Sequence, residues 1–169
     1  MLKRIGSRLK WIESDSRAGV FSELVLNRWL DCRQIKPSDN ESGGLLLGRF
    51  TDDTGALLVD LLTTPSDTDE QSRYGFYRSE SHNQDLLDYW HDTDGYGGLL
   101  GLWHTHPENK PTPSDTDLED LVNSIESSAF VADRLVYVIV GITHIGVWVA
   151  DRGCDISFIG YMPYEHDTA

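Results

Sequence analysis

Apolar positions in this chain switch between a period of about 3.6 and short continuous runs, and each switch marks an element. "SELVLNRWLDCRQI" (22–35) sets Leu26, Trp29, Leu30 and Arg33 on one mostly apolar helical face, with Ser22 placed to cap it and Pro37 to stop it. "GGLLLGRF" (43–50) and "ALLVDLLTT" (56–64) read as strands, and Asp53-Thr54-Gly55 between them predicts a hairpin. "SESHNQDLLDYWHD" (79–92) predicts a second helix, capped by Ser79 or Ser81, and "GGLLGLWHTH" (97–106) predicts a strand. "SDTDLEDLVNSIES" (114–127) carries Leu118, Leu121, Val122 and Ile125 at the spacing of an amphipathic helix. "RLVYVIVGI" (134–142), "HIGVWVAD" (144–151) and "CDISFIGYM" (154–162) predict three closing strands with tight turns near Gly141 and Gly153. "RLKWIESD" (8–15) reads as one more short strand. Residues 64–78 are polar, hold Pro65, Asp67, Asp69 and Gly75, and read as a loop longer than most connections. This order of elements predicts an α/β fold: a central mixed β-sheet flanked by helices.

Composition narrows the setting. A chain of 169 residues with 39% hydrophobic and 25% charged residues predicts one soluble domain, 1–169, large enough to bury a core without disulfide staples. The net charge of −14 repels phosphate backbones, so no nucleic-acid partner is expected. Lys3, Arg4, Arg8, Lys10 and Arg17 cluster near the start and read as a solvated patch. Cys32 and Cys154 lack C-x-x-C spacing, which predicts reduced thiols. No apolar run reaches the roughly 20 residues that span a bilayer, and no apolar run follows the basic start. The expectation is a cytoplasmic protein without a membrane partner.

The densest chemistry is "GLWHTHPENKPTPSDTD" (101–117). Residues i and i+2 of a strand share a face, so His104 and His106 aim together while Trp103 and Thr105 aim away. Two imidazoles on one side of a strand end form half of a zinc site. Asp117, in the first turn of the next helix, is the natural third ligand, leaving a fourth position open. A second reading of Ser114 and Asp117 is a helix cap with an acid in the first turn. The histidines by themselves also fit a satisfied surface pair. Zinc deaminases need H-x-E with a later P-C-x-x-C, and helical H-E-x-x-H defines another class; neither pattern is present. His82, His91, His144 and His166 are scattered and are not expected to be ligands.

H-x-H-P, a spacer, then P-S-x-x-D resembles the JAMM metalloprotease motif of the Jab/MPN family, and "ESGGLLLGR" (41–49) resembles the upstream glutamate element of that family. The resemblance covers roughly residues 22–160 and matches the element order above. It implies a JAMM/MPN-like sheet with cytidine-deaminase-like layering, and Zn2+ held by His104, His106 and Asp117. It further implies that Glu41 moves the proton of the attacking water and that Ser114 donates to the oxyanion. Active family members cut after the C-terminal glycine of ubiquitin-like proteins. The compact form is similar to stand-alone bacterial members, several of which lie beside ubiquitin-like conjugation enzymes, some in anti-phage defence operons. The implied partners are therefore a ubiquitin-like protein or its conjugates, and E1/E2-like enzymes of one operon. An extended tail would dock by adding to a sheet edge, with residues 64–78 as a wall of its groove. Two other readings stand beside this one: a peptidase that matures a precursor, and a non-catalytic scaffold of the same fold.

Overall fold

The computed structural model of the protein describes residues 1–128, 130 and 132–164. His166 lies outside the described residues. The strands are β1 (Leu2–Ile5), β2 (Arg8–Ser14), β3 (Arg17–Phe21), β4 (Gly43–Phe50), β5 (Leu57–Leu62), β6 (Glu70–Ser72), β7 (Gly75–Tyr77), β8 (Gly98–Thr105), β9 (Arg134–Val140), β10 (His144–Asp151) and β11 (Ile156–Pro163). The helices are α1 (Glu23–Cys32), α2 (Ser81–Asp92) and α3 (Asp115–Ser127).

Nine strands form one mixed sheet in the order β1-β2-β3-β5-β4-β8-β9-β10-β11. The β3–β5 and β8–β9 pairs are parallel and the rest antiparallel. The fold class is the α/β arrangement read from the sequence. Its two faces carry separate cores. One face packs Trp11, Phe21, Trp103 and Val138 against Val25, Leu26 and Trp29 of α1. The other packs Leu45, Leu102, Tyr137 and Ile139 against Leu121 and Ile125 of α3, with Leu86 and Tyr89 of α2 at its margin. β8 and β9 are buried along their whole length, which is why both read as unbroken apolar runs rather than alternating ones.

Several boundaries differ from the sequence reading, each for a visible reason. α1 ends at Cys32 rather than near residue 35. Gln34 is fully buried and its amide is committed elsewhere, donating to the carbonyls of Asp39 and Arg73. α2 starts at Ser81 and has Glu80 at its N-cap with no side-chain cap, so neither Ser79 nor Ser81 caps it. Those hydroxyls instead join Ser66 and Thr68 in a mutual cluster. Residues 64–78 are not a bare loop: β6 and β7 pair there as a small antiparallel hairpin. β1 and β3 flank the expected β2. Of the basic patch, Arg4 donates to the Tyr164 carbonyl and Arg17 pairs with Asp133, so two of its members are tied into the fold. Cys32 and Cys154 are free thiols.

Candidate metal centre

The centre of the sheet sets the site. In the antiparallel β4–β8 ladder, His104 stands opposite Gly43. Thr105, between the two histidines, points to the other side and locks that register. Its hydroxyl accepts the Ser42 amide at 2.9 Å and donates to Gln34 at 2.8 Å, while its own amide donates to the Ser42 carbonyl at 2.8 Å. Glu41 therefore reaches the strand end occupied by the histidines. The glycines after it are dictated by close approach. A Cβ at Gly43 would meet the Phe76 ring and the Trp103 carbonyl, and one at Gly44 would strike Thr63.

His106 lies just past β8, with its amide bonded to the Val140 carbonyl at 3.1 Å. The turn through Pro107–Pro113 then brings α3 back over the strand end. Ser114 and Asp117 close a capping box: the Ser114 hydroxyl accepts the Asp117 amide at 3.2 Å, and Asp117 Oδ2 accepts the Ser114 amide at 2.8 Å. The cap reading and the cluster reading of these residues hold together, because the same carboxylate also faces both histidines.

His104 Nε2 and His106 Nε2 are 3.0 Å apart, His104 Nε2 is 3.3 Å from Asp117 Oδ1, and His106 Nε2 is 3.0 Å from Asp117 Oδ2. Ligands held about 2.0–2.2 Å from a tetrahedral zinc sit roughly 3.3 Å from one another, so this triangle fits the donor set of such a site. Glu41 Oε1 lies 4.0 Å from His104 Nε2. One ligand atom from each of the four residues falls within a 4.8 Å group, a cluster able to hold a metal ion. His82, His91 and His144 lie outside it.

The electrostatics follow from burial and from Asp117. Burial lifts the Glu41 carboxyl from 4.5 to about 8, with His106 pulling it down and Asp117 pushing it up. Burial also works to raise Asp117, but hydrogen bonds from both histidines and the Ser114 amide outweigh it and hold this carboxyl far below its ordinary range. Burial depresses His104, more than Asp117 restores. Burial would depress His106 too, but Asp117, Glu41 and Glu108 together keep it above its ordinary value.

The cluster opens into a cavity of about 620 Å³. Glu41, His104, Ser114 and Asp117 line it, together with residues 74–77 of the hairpin and residues of α3. Arg78 pairs with Asp120 at 3.3 Å. Of residues 64–78, read from the sequence as a groove wall, only 74–78 line this cavity. Tyr137, which forms part of the lining, sits with its ring 5.4 Å from that of His104. Sequence reasoning gave no role to Glu108, whose carboxylate is 2.8 Å from His106 Nδ1. Its place two residues after a candidate ligand histidine, in "HPE", was the available signal.

A mixed sheet with two histidines at one strand end and an aspartate delivered by the next helix defines a JAB-type domain. The chain belongs to the family described as prokaryotic homologs of the JAB domain, whose model matches residues 22–151. A Pseudomonas aeruginosa protein named CD-NTase/cGAS isopeptidase is 37% identical over 109 residues, covering 63% of this chain and 68% of the relative. An Escherichia coli protein of the same name is 30% identical over 139 residues, covering 82% and 83%. A solution structure of a Desulfitobacterium hafniense protein shares the fold with a TM-score of 0.53 at 19% identity, covering 80% of this chain and 85% of that one. No helix among the described residues is long and apolar enough to cross a membrane.

Proposed function

We propose that this protein is a zinc-dependent isopeptidase that releases a conjugated protein from its target. The observation that carries the reading is the donor triangle of His104, His106 and Asp117, with Glu41 standing just outside it at the end of a groove. Two histidine nitrogens and a carboxylate favour zinc. Zinc held by these three residues would lower the pKa of a water and polarise a carbonyl oxygen. The protein's own groups do the rest. Glu41 takes the proton of the attacking water and returns it to the leaving amine. Burial raises its carboxyl to about 8 in the metal-free protein, and a zinc cation beside it would pull it back toward the ionised form that a base needs. The Ser114 hydroxyl accepts the Asp117 amide and keeps its own proton for the oxyanion. Glu108 fixes His106 with Nδ1 as donor, so that Nε2 turns its lone pair to the cluster.

The names of the relatives favour a CD-NTase as the conjugated protein, and the family resemblance favours a defence-type conjugation system. The family resemblance favours a ubiquitin-like modifier ending in glycine, which makes the natural comparison substrate. The intact set of five site residues argues against a scaffold role, and the isopeptidase name of the relatives against a general precursor peptidase. The test is to incubate zinc-loaded protein with a CD-NTase conjugate and with a ubiquitin-like conjugate, and to identify the released species by mass spectrometry. Release of an intact modifier, cut after its last residue, is expected from one of them. Internal cleavage, or no cleavage of either with zinc bound, would overturn the reading.

A further inference from the structure

Away from the metal cluster the chain buries a second line of polar groups. His82 Nε2 is 2.7 Å from Asp69 Oδ2, and His82 Nδ1 is 2.6 Å from Thr63 Oγ1. The side chains of His82 and Asp69 are 2% and 0% exposed. Thr63 Oγ1 also accepts the Leu45 amide at 2.7 Å. With Nε2–H given to Asp69 and the Thr63 hydroxyl given to Nδ1, every donor in the line meets an acceptor. Asp69 takes two more, the amides of Ser66 and Ser79, at 2.8 Å each. Burial would raise this carboxyl, but His82 and those amides hold it well below its ordinary range.

A buried carboxylate with no Lys or Arg partner is expensive unless its lone pairs are filled, and a simple connection from β5 to α2 has no need of one. The geometry shows what the line joins. Ser66 and Ser79 flank hairpin β6–β7, Thr63 follows β5, and Leu45 belongs to β4. The far side of the same hairpin grips Glu41. The Glu41 amide donates to the Ser72 carbonyl at 2.7 Å, and Gln71 Nε2 donates to the Glu41 carbonyl at 3.0 Å. Phe76 fills the space beside Gly43 and stands edge-on to His82, with ring centroids 6.1 Å apart.

We propose that Asp69, His82 and Thr63 form a positioning device that clamps hairpin β6–β7 to the sheet and so holds both the groove wall and the backbone of Glu41. They are positioning residues: none belongs to the metal cluster, and of the three only His82 lines the cavity. The kinetic consequence rests on the isopeptidase reading; the clamp itself does not.

The test uses Asp69→Asn, Thr63→Val and Thr63→Ser in the full chain. Thr63→Val keeps the shape and removes the hydroxyl, whereas Thr63→Ser keeps the hydroxyl. In Asp69→Asn and Thr63→Val, hydrogen exchange at the Glu41 amide and across residues 70–77 should accelerate about 100-fold while β8 and β9 stay as protected as in the parent. Zinc content should stay at the parent level. Against the conjugate, KM should rise and kcat fall, each by about tenfold, because wall and shuttle are both displaced. Thr63→Ser should return exchange and both constants close to parent values. Parent-like exchange in folded Asp69→Asn and Thr63→Val, or failure of Thr63→Ser to rescue, would overturn the proposal. If Asp69→Asn does not fold, the Thr63 pair decides. A parent that cuts no conjugate sinks the isopeptidase reading alone, and the exchange result still decides the clamp.

Discussion

Glu108 Oε1 lies 2.8 Å from His106 Nδ1, on the opposite side of the imidazole from the nitrogen that faces Asp117. A carboxylate in that position fixes the tautomer and strengthens the ring as a donor. Glu108→Gln should therefore weaken zinc affinity by about 10- to 100-fold without removing a ligand. Competition against a chelating dye measures this, and parent-like affinity would show the contact to be incidental.

Glu41→Gln should retain zinc and lower turnover by about 100-fold or more, the usual scale for a lost general base. Metal analysis and turnover on the same preparation check both halves. Parent-like turnover would return Glu41 to a structural role at the start of β4.

The same substitution carries a pH signature in metal-free protein. Below the ordinary value of 4.5 the Glu41 carboxyl is protonated folded or unfolded, and folding is indifferent to it. Between 4.5 and about 8 the unfolded chain ionises while the folded one does not, so stability falls as pH rises, and the full penalty is present above about 8. Glu41→Gln should match the parent near pH 4 and exceed it above pH 8, by about 1 to 5 kcal/mol. Denaturant titrations at the two pH values decide it, and a constant difference would contradict it.

Ser114→Ala should keep zinc and lose catalysis by about 100- to 1,000-fold if the hydroxyl serves the oxyanion. The lost cap should also remove about 0.5 to 2 kcal/mol of stability. Zinc loss in this variant would mean that the box with Asp117 is what holds the metal cluster together.

Zinc at about 100 times its Kd should add roughly 2.7 kcal/mol to the stability of the parent, read as a rise in Tm. His104→Ala should lose most of that increment because it removes one corner of the donor triangle. Equal zinc shifts in both proteins would place the metal elsewhere.

How much of this was legible in the sequence depended on distance along the chain. His104, His106, Ser114 and Asp117 share one short segment; strand parity and a helix start brought the histidines and Asp117 together, while Ser114 read as a cap until the family resemblance gave it a further role. Glu41 stands 63 positions before His104, and nothing in its local pattern links the two; only the β4–β8 register does. Family resemblance supplied that residue, not periodicity. The β6–β7 hairpin was hidden because Glu70, Gln71 and Ser72 are all exposed and show no alternation. Asp69, His82 and the hydroxyl cluster flank it with contacts that no propensity reports. Likewise the cap of α2 failed because Ser79 and Ser81 found partners in one another and in Ser66, an option that sequence spacing does not display.

The bracket between Ser42 and Thr105 spans 63 residues, whereas the three donors of the metal triangle span only 13 positions. Closing the longer loop carries the larger entropy cost and belongs to slow, non-local strand pairing. The donor triangle is therefore the more local of the two closures, and the delivery of Glu41 the less local. The three donors meet across a short turn, whereas Glu41 reaches them only through the pairing of β4 with β8.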